Sequence, residues 1–180
     1  MAVSKTEPLT VHLAHGASGT AVSMGPYVDA LRRRGVTASA VELPRHGRTV
    51  VKAEKAVPSF LEQVPAGSIG GGHSYGGRVA SLAALETTYR GLILLSYPLH
   101  RPGHPEELRV EHWPRIRCPV LLLSGESDPF ARLDLLREAV HRMPQAELVT
   151  YPGVRHGLIP VVEAAMERAA EFVRRLSSSG

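Results

Sequence analysis

The sequence predicts an α/β fold: about six strands in a mainly parallel sheet, with helices on both faces. Three observations carry that expectation. Apolar runs of strand length alternate with stretches of helical periodicity, the pattern of successive βα units. A chain of 180 residues suits one domain with one substantial core, so residues 1–180 are expected to fold as a single unit. Polar, glycine-bearing segments with nucleophilic or titratable side chains follow directly after several of the apolar runs, where open α/β sheets bind ligands.

Strands are expected at Leu9–Ala14, Val36–Leu43, Ser68–Gly72, Gly91–Ser96, Val120–Ser124 and Glu147–Tyr151. The third, with Gly70, Gly71 and Gly72, runs against strand propensity. A sharp turn into a helix directly after Gly72 supports a strand there all the same. Pro26–Arg34 reads as a helix, with Tyr27, Ala30 and Leu31 at helical spacing and Gly35 closing it. Ser74–Thr88 is a second helix, rich in the small residues that let a helix lie close to a sheet. Leu133–Arg142 is a third, ended by Met143-Pro144. Pro160–Leu176 is the last, with Val161, Ala165, Ala169, Phe172 and Val173 along one face. Tyr97–Arg117 holds four prolines; it is long enough to wall a cleft and too short for a separate domain.

The net charge of +4 is mild and its arginines are interleaved with Glu, which argues against a nucleic-acid footprint. Cys118 is the single cysteine, so no internal disulfide can form and a reducing, cytoplasmic setting is expected. Met1–Thr10 lacks the apolar stretch of a secretion signal, and no run approaches the ~20 apolar residues of a membrane span. There is no internal repeat and no linker.

Gly72-His73-Ser74-Tyr75-Gly76 frames a serine between glycines at a strand-to-helix turn. Such an elbow would lift the Ser74 hydroxyl into the open, and the glycines spare neighbouring elements a Cβ clash. A serine hydroxyl is a weak nucleophile alone and needs a base oriented by an acid. The chain supplies both in order. Asp128 follows the strand at Val120–Ser124, in Ser124-Gly125-Glu126-Ser127-Asp128-Pro129. His156 follows the last strand, in Pro152-Gly153-Val154-Arg155-His156-Gly157. Asp128 would hold one ring nitrogen of His156, and the other would take the serine proton. His15-Gly16-Ala17-Ser18-Gly19 follows the first strand and offers the Ala17 N–H as one oxyanion donor; the Tyr75 N–H is the second.

The segments GGGHSYGGRVAS, LPRHGR, LLLSGESDPF and YPGVRHG resemble the α/β-hydrolases with a minimal sheet. YPLHRPGHPEELRVEHWPRIRCPVLLLSGESDPF is similar to a small lidless branch described as dienelactone-hydrolase-like or testis-expressed-protein-like. The resemblance spans Val11 to Phe172. It implies an open twisted sheet without the first two strands of full-length members, no cap domain, and Ser74, Asp128 and His156 as nucleophile, acid and base. Dienelactone hydrolases proper carry cysteine at the elbow, where this chain has serine.

These readings converge on a serine hydrolase cleaving small or extended esters or thioesters through an acyl-Ser74 intermediate, with no cofactor and no metal. Two alternatives use the same residues: a non-catalytic adaptor on this fold, and a serine peptidase. Glu126 and Asp134 are other carboxylates near Asp128, the first nearer the strand end and the second inside a helical pattern. His15 is expected to hold the oxyanion turn and His73 to pack beneath the elbow. Arg45 and His46 either line the cleft mouth or are solvated. His100, His104 and His112 are spaced for one helix face, but Pro102, Pro105 and Pro114 interrupt it and no further ligand completes a metal set. The glycines around Ser74 lack the lysine and spacing of a phosphate-binding loop.

Overall fold

The computed structural model describes residues 8–179; most of the Met1–Thr10 leader expectation therefore lies outside the described residues. Six parallel strands form the main sheet: β1 (Thr10–Ala14), β2 (Thr37–Val41), β5 (Ile69–His73), β6 (Gly91–Leu95), β7 (Val120–Gly125) and β8 (Ala146–Tyr151). A small antiparallel hairpin, β3 (Arg45–His46) with β4 (Thr49–Val50), stands apart. The helices are α1 (Gly25–Arg33), α2 (Ala53–Gln63), α3 (Tyr75–Ala83), α4 (Leu133–Val140) and α5 (Val162–Ser178). All six expected strands are present within one or two residues of their predicted ends.

The sheet runs β2-β1-β5-β6-β7-β8. The chain steps outward from β1 to β2 and then returns to the other side of β1 at β5. Strand order reverses there, which leaves a crevice at the carboxyl ends of β1 and β5.

Alternation along the strands sorts the apolar side chains into two layers. Ala14, Leu92, Leu94, Val120 and Leu122 face α2, α3 and α4. Leu13, Ile93, Leu95, Leu121 and Leu123 face α1 and α5, meeting Leu31, Met166, Ala169 and Phe172. Because both faces are covered, β6 and β7 are buried at every residue, and their continuous apolar runs reflect that.

Two elements differ from expectation. Helix α3 stops at Ala83 rather than Thr88: Leu85 and Glu86 donate to Leu82 and Ala83 in a closing turn. The chain then bends so that Tyr89 is buried and β6 can begin at Gly91. Helix α2 is an addition to the expected elements. Pro58 lies inside it, where its missing N–H and its ring usually disfavour helix. Ala56, Val57 and Phe60 are nevertheless buried against the sheet layer; that burial outweighs local preference.

The prolines of Tyr97–Arg117 mark an irregular strap with one short 3-10 turn at Trp113–Arg115. It is tied down throughout. Tyr97 and Trp113 are buried with ring centroids 5.0 Å apart. The Tyr97 hydroxyl donates to the Arg109 carbonyl at 2.7 Å. His100 N–H donates to the Phe130 carbonyl, while His100 Nε2 accepts the Arg132 N–H at 3.0 Å. The strap walls one side of a cleft, and no cap domain is interposed among the described residues.

Candidate active site

Ser74 sits between β5 and α3 with φ 50° and ψ −116°. A non-glycine residue at positive φ is strained by order 1–3 kcal/mol, and such strain persists only where the surroundings enforce it. Here the glycines enforce it. A Cβ on Gly72 would lie 2.6 Å from the Ala14 carbonyl oxygen, and one on Gly76 would strike that same carbonyl. Helix α3 therefore starts hard against β1, and the turn has no room to relax. The same crowding accounts for Gly71 in β5, since a Cβ there would collide with the Ile93 backbone.

Ser74 Oγ lies 2.8 Å from His156 Nε2. His156 Nδ1 lies 2.8 Å from Asp128 Oδ2 and 3.0 Å from Oδ1. An ionised carboxylate only accepts hydrogen bonds, so in the neutral ring Nδ1 carries the proton and Nε2 presents its lone pair to Ser74. The Asp128 side chain is fully buried, and that of His156 is 21% exposed. Asp128 is oriented by the Phe130 N–H, which donates to Oδ1 at 2.8 Å. The imidazole lies between two rings, Phe130 at 4.3 Å and His73 at 5.3 Å between centroids.

The His156 loop has further anchors that the sequence did not reveal. Gly157 N–H donates to Ser96 Oγ at 3.2 Å, and Leu158 N–H donates to the Tyr27 hydroxyl at 3.1 Å. Ser96, at the end of β6, is the other non-glycine residue at positive φ, 48°. Tyr27 and Ser96 are far from residue 157 in sequence, and no local pattern announces the pairing.

The turn after β1 is held just as firmly. Buried His15 donates from Nδ1 to the Gly16 carbonyl at 2.7 Å and accepts the Leu43 N–H at Nε2, 3.0 Å away. The Gly19 N–H donates to the same Gly16 carbonyl. Because the peptide is planar and trans, fixing the Gly16 C=O also fixes the Ala17 N–H in the opposite direction. Arg45 supports the turn from outside by donating to the Ala17 and Gly19 carbonyls; it is tied to the turn, neither free in solvent nor lining the cleft. Neither the Ala17 nor the Tyr75 N–H donates a hydrogen bond among the described residues.

The remaining titratable groups go elsewhere. Glu126 accepts from Thr150. Exposed Asp134 pairs with Arg132, which draws its carboxyl down to about 2. His73 packs against Gly16, whose hypothetical Cβ would lie 2.8 Å from its Nδ1. Burial, reinforced by His156 and opposed by Asp128, lowers His73 to about 4. His112 meets Ser81 Oγ at 2.8 Å, His100 is bonded to Arg101 and Arg132, and exposed His104 lies beside Glu106. The three histidines thus serve separate contacts.

A cleft of about 650 Å³ opens beside Ser74. Ala17, Val50–Glu54, Tyr75, Arg78, Pro98, Arg109 and Phe130 line it with Ser74. The strap Tyr97–Arg117, expected to wall a cleft, contributes Pro98 and Arg109.

A parallel sheet whose order reverses beside a strained serine elbow, with histidine and aspartate reaching it from the next strand ends, defines an α/β-hydrolase. Residues 8–178 match the family described as alpha/beta hydrolase domain, and the chain belongs to that family. Solved structures share the architecture. A monoacylglycerol lipase from Paleococcus ferrophilus aligns with TM-score 0.74 at 18% identity over 95% of each chain. Est1E from Butyrivibrio proteoclasticus, solved with ferulic acid, gives 0.76 at 18% identity over 95% of this chain and 90% of its own. A thermophilic esterase from Thermogutta terrifontis gives 0.75 at 17% identity, covering 93% and 90%. Among the described residues no helix is long and apolar enough to cross a membrane.

Proposed function

We propose that this protein is a serine hydrolase that cleaves small or extended esters or thioesters through an acyl-Ser74 intermediate. The observation that carries the reading is the unbroken hydrogen-bonded chain from Ser74 Oγ through His156 to Asp128. As Ser74 Oγ attacks the acyl carbon, its proton passes to His156 Nε2. The carbonyl electron pair moves onto oxygen, where the Ala17 and Tyr75 N–H groups receive the charge. Asp128 stabilises the imidazolium thus formed. Collapse expels the alcohol or thiol, which takes the proton back from His156. Water then repeats the sequence on the acyl-enzyme and releases the acid.

The reading assigns the whole chain to one domain, supported by two apolar layers that share a single sheet. The lone Cys118 suits a reducing compartment such as the cytoplasm. An open cleft without a cap favours short acyl groups, so acetate and butyrate esters should turn over faster than palmitate esters. The reverse ranking, measured as kcat/KM, would remove the size assignment.

The direct test is a fluorophosphonate probe together with p-nitrophenyl acetate. Wild-type protein should be labelled; Ser74→Ala should lose labelling and at least about 10³-fold in kcat. Labelling or turnover that survives the substitution rejects Ser74 as nucleophile.

A further inference from the structure

The cleft beside Ser74 is cationic. Lys52, Arg78 and Arg109 line it, and Glu54 is the one acidic residue on its walls. Half of the arginines elsewhere among the described residues are held in ion pairs, as Arg34 is with Glu163 and Glu167, Arg101 with Glu107 and Arg175 with Glu147. Arg109 is not, and it stands in the cleft wall. Its backbone is fixed on both sides, donating to the Leu99 carbonyl at 2.8 Å and accepting the Tyr97 hydroxyl at 2.7 Å. Its guanidinium, partly buried in the cleft wall, has no ion pair or hydrogen bond among the described residues.

Arg78 stands on the first turn of α3, just after Ser74. One of its nitrogens donates to Glu54 at 2.9 Å, and its Nε is buried without a partner. Burial and the neighbouring Arg78 charge both lower the Arg109 pKa. Two like charges facing one partly desolvated cleft, with guanidinium N–H groups unmatched, are costly in the empty protein. A planar oxyanion relieves this arrangement, because it can accept two parallel N–H bonds from a guanidinium fork.

We propose that Arg109 and Arg78 form an oxyanion subsite, so that the ester or thioester cleaved at Ser74 carries a carboxylate or phosphate in the portion held between them. The substrate assignment rests on the hydrolase reading above; the binding itself requires no turnover.

Matched esters that differ only in charge test it. Monoethyl adipate against ethyl adipamate puts the anion on the acyl half. On the alcohol half, 4-acetoxybenzoate against 4-acetoxybenzamide does the same, and 4-acetoxyphenyl phosphate replaces carboxylate with phosphate. At least one anionic ester should exceed its neutral carboxamide counterpart by about fivefold or more in kcat/KM. The winning compound tells carboxylate from phosphate. That excess should vanish in Arg109→Gln, survive in part in Arg109→Lys, and shrink as salt cuts the Debye length from about 30 Å to about 3 Å. Equal rates for every pair, or an excess that survives Arg109→Gln with Arg78→Gln, overturn the subsite while leaving the esterase intact.

Calorimetry on Ser74→Ala with the same compounds separates the two ideas. If the wild-type protein hydrolyses none of them, the hydrolase reading fails. Tighter anion binding that is lost in Arg109→Gln then still supports the subsite, and equal affinities reject it.

Discussion

His15 holds the turn that, on the proposed mechanism, presents one oxyanion donor. It clamps the Gly16 carbonyl and the Leu43 N–H, and that clamp sets the orientation of the Ala17 N–H. His15→Phe keeps the ring volume and removes both hydrogen bonds. With a misdirected oxyanion donor, kcat should fall by roughly 10- to 100-fold, while KM for p-nitrophenyl acetate moves little. A parallel change in KM, or an unchanged kcat, would make His15 a packing residue only. At this scale Ser74, Asp128 and His156 were legible because each carries its own local cue: a reactive or titratable group beside glycine or proline, just past an apolar run. Ser96, Tyr27, Phe130 and Arg45 carried none, since their contacts join segments far apart along the chain.

Among the elements, α3 and β5 are the least tolerant. Their glycines are poor formers of helix and strand alike, yet at Gly71, Gly72, Gly76 and Gly77 neighbouring backbone lies too close for a side chain. Gly76→Ala drives a methyl group into the Ala14 carbonyl, which is backbone and cannot swing aside. We expect a loss of at least about 2–3 kcal/mol in urea unfolding, together with loss of fluorophosphonate labelling. A variant of wild-type stability would mean that α3 can lift from β1, and the elbow would not be rigid. Helix α2 teaches the opposite lesson. Pro58 hid it in the sequence, and burial of Val57 and Phe60 sustains it in the fold. The strap from Tyr97 to Arg117 gave no periodic signal because its order comes from single contacts such as Tyr97 to Arg109.

For the molecule as a whole, buried His112 and half-buried His73 set an acid limit. Burial is the main cause that holds His73 and His112 at about 4 rather than the ordinary 6.5; His156 adds to it for the first and Arg78 for the second. The unfolded chain binds these protons near pH 6.5, whereas the folded protein refuses them until about pH 4. Stability conferred by the neutral rings is therefore complete above about pH 6.5 and declines as pH falls toward 4, by order 2–3 kcal/mol for each histidine. Urea midpoints measured across that window should drop, and His112→Gln should flatten part of the slope. Midpoints that stay level between pH 7 and pH 4 would show that both rings protonate freely in the native state.

The amino-acid order by itself determined the βα alternation, the parallel sheet and the succession of serine, aspartate and histidine at strand ends, because these arise from hydrophobic periodicity and short-range chemistry. Only the tertiary structure decided the strand order, the existence of α2, the clamp on the turn after β1 and the cationic walls of the cleft. Those depend on which distant segments bury one another, and the free energy of that burial exceeds the local preferences a sequence displays.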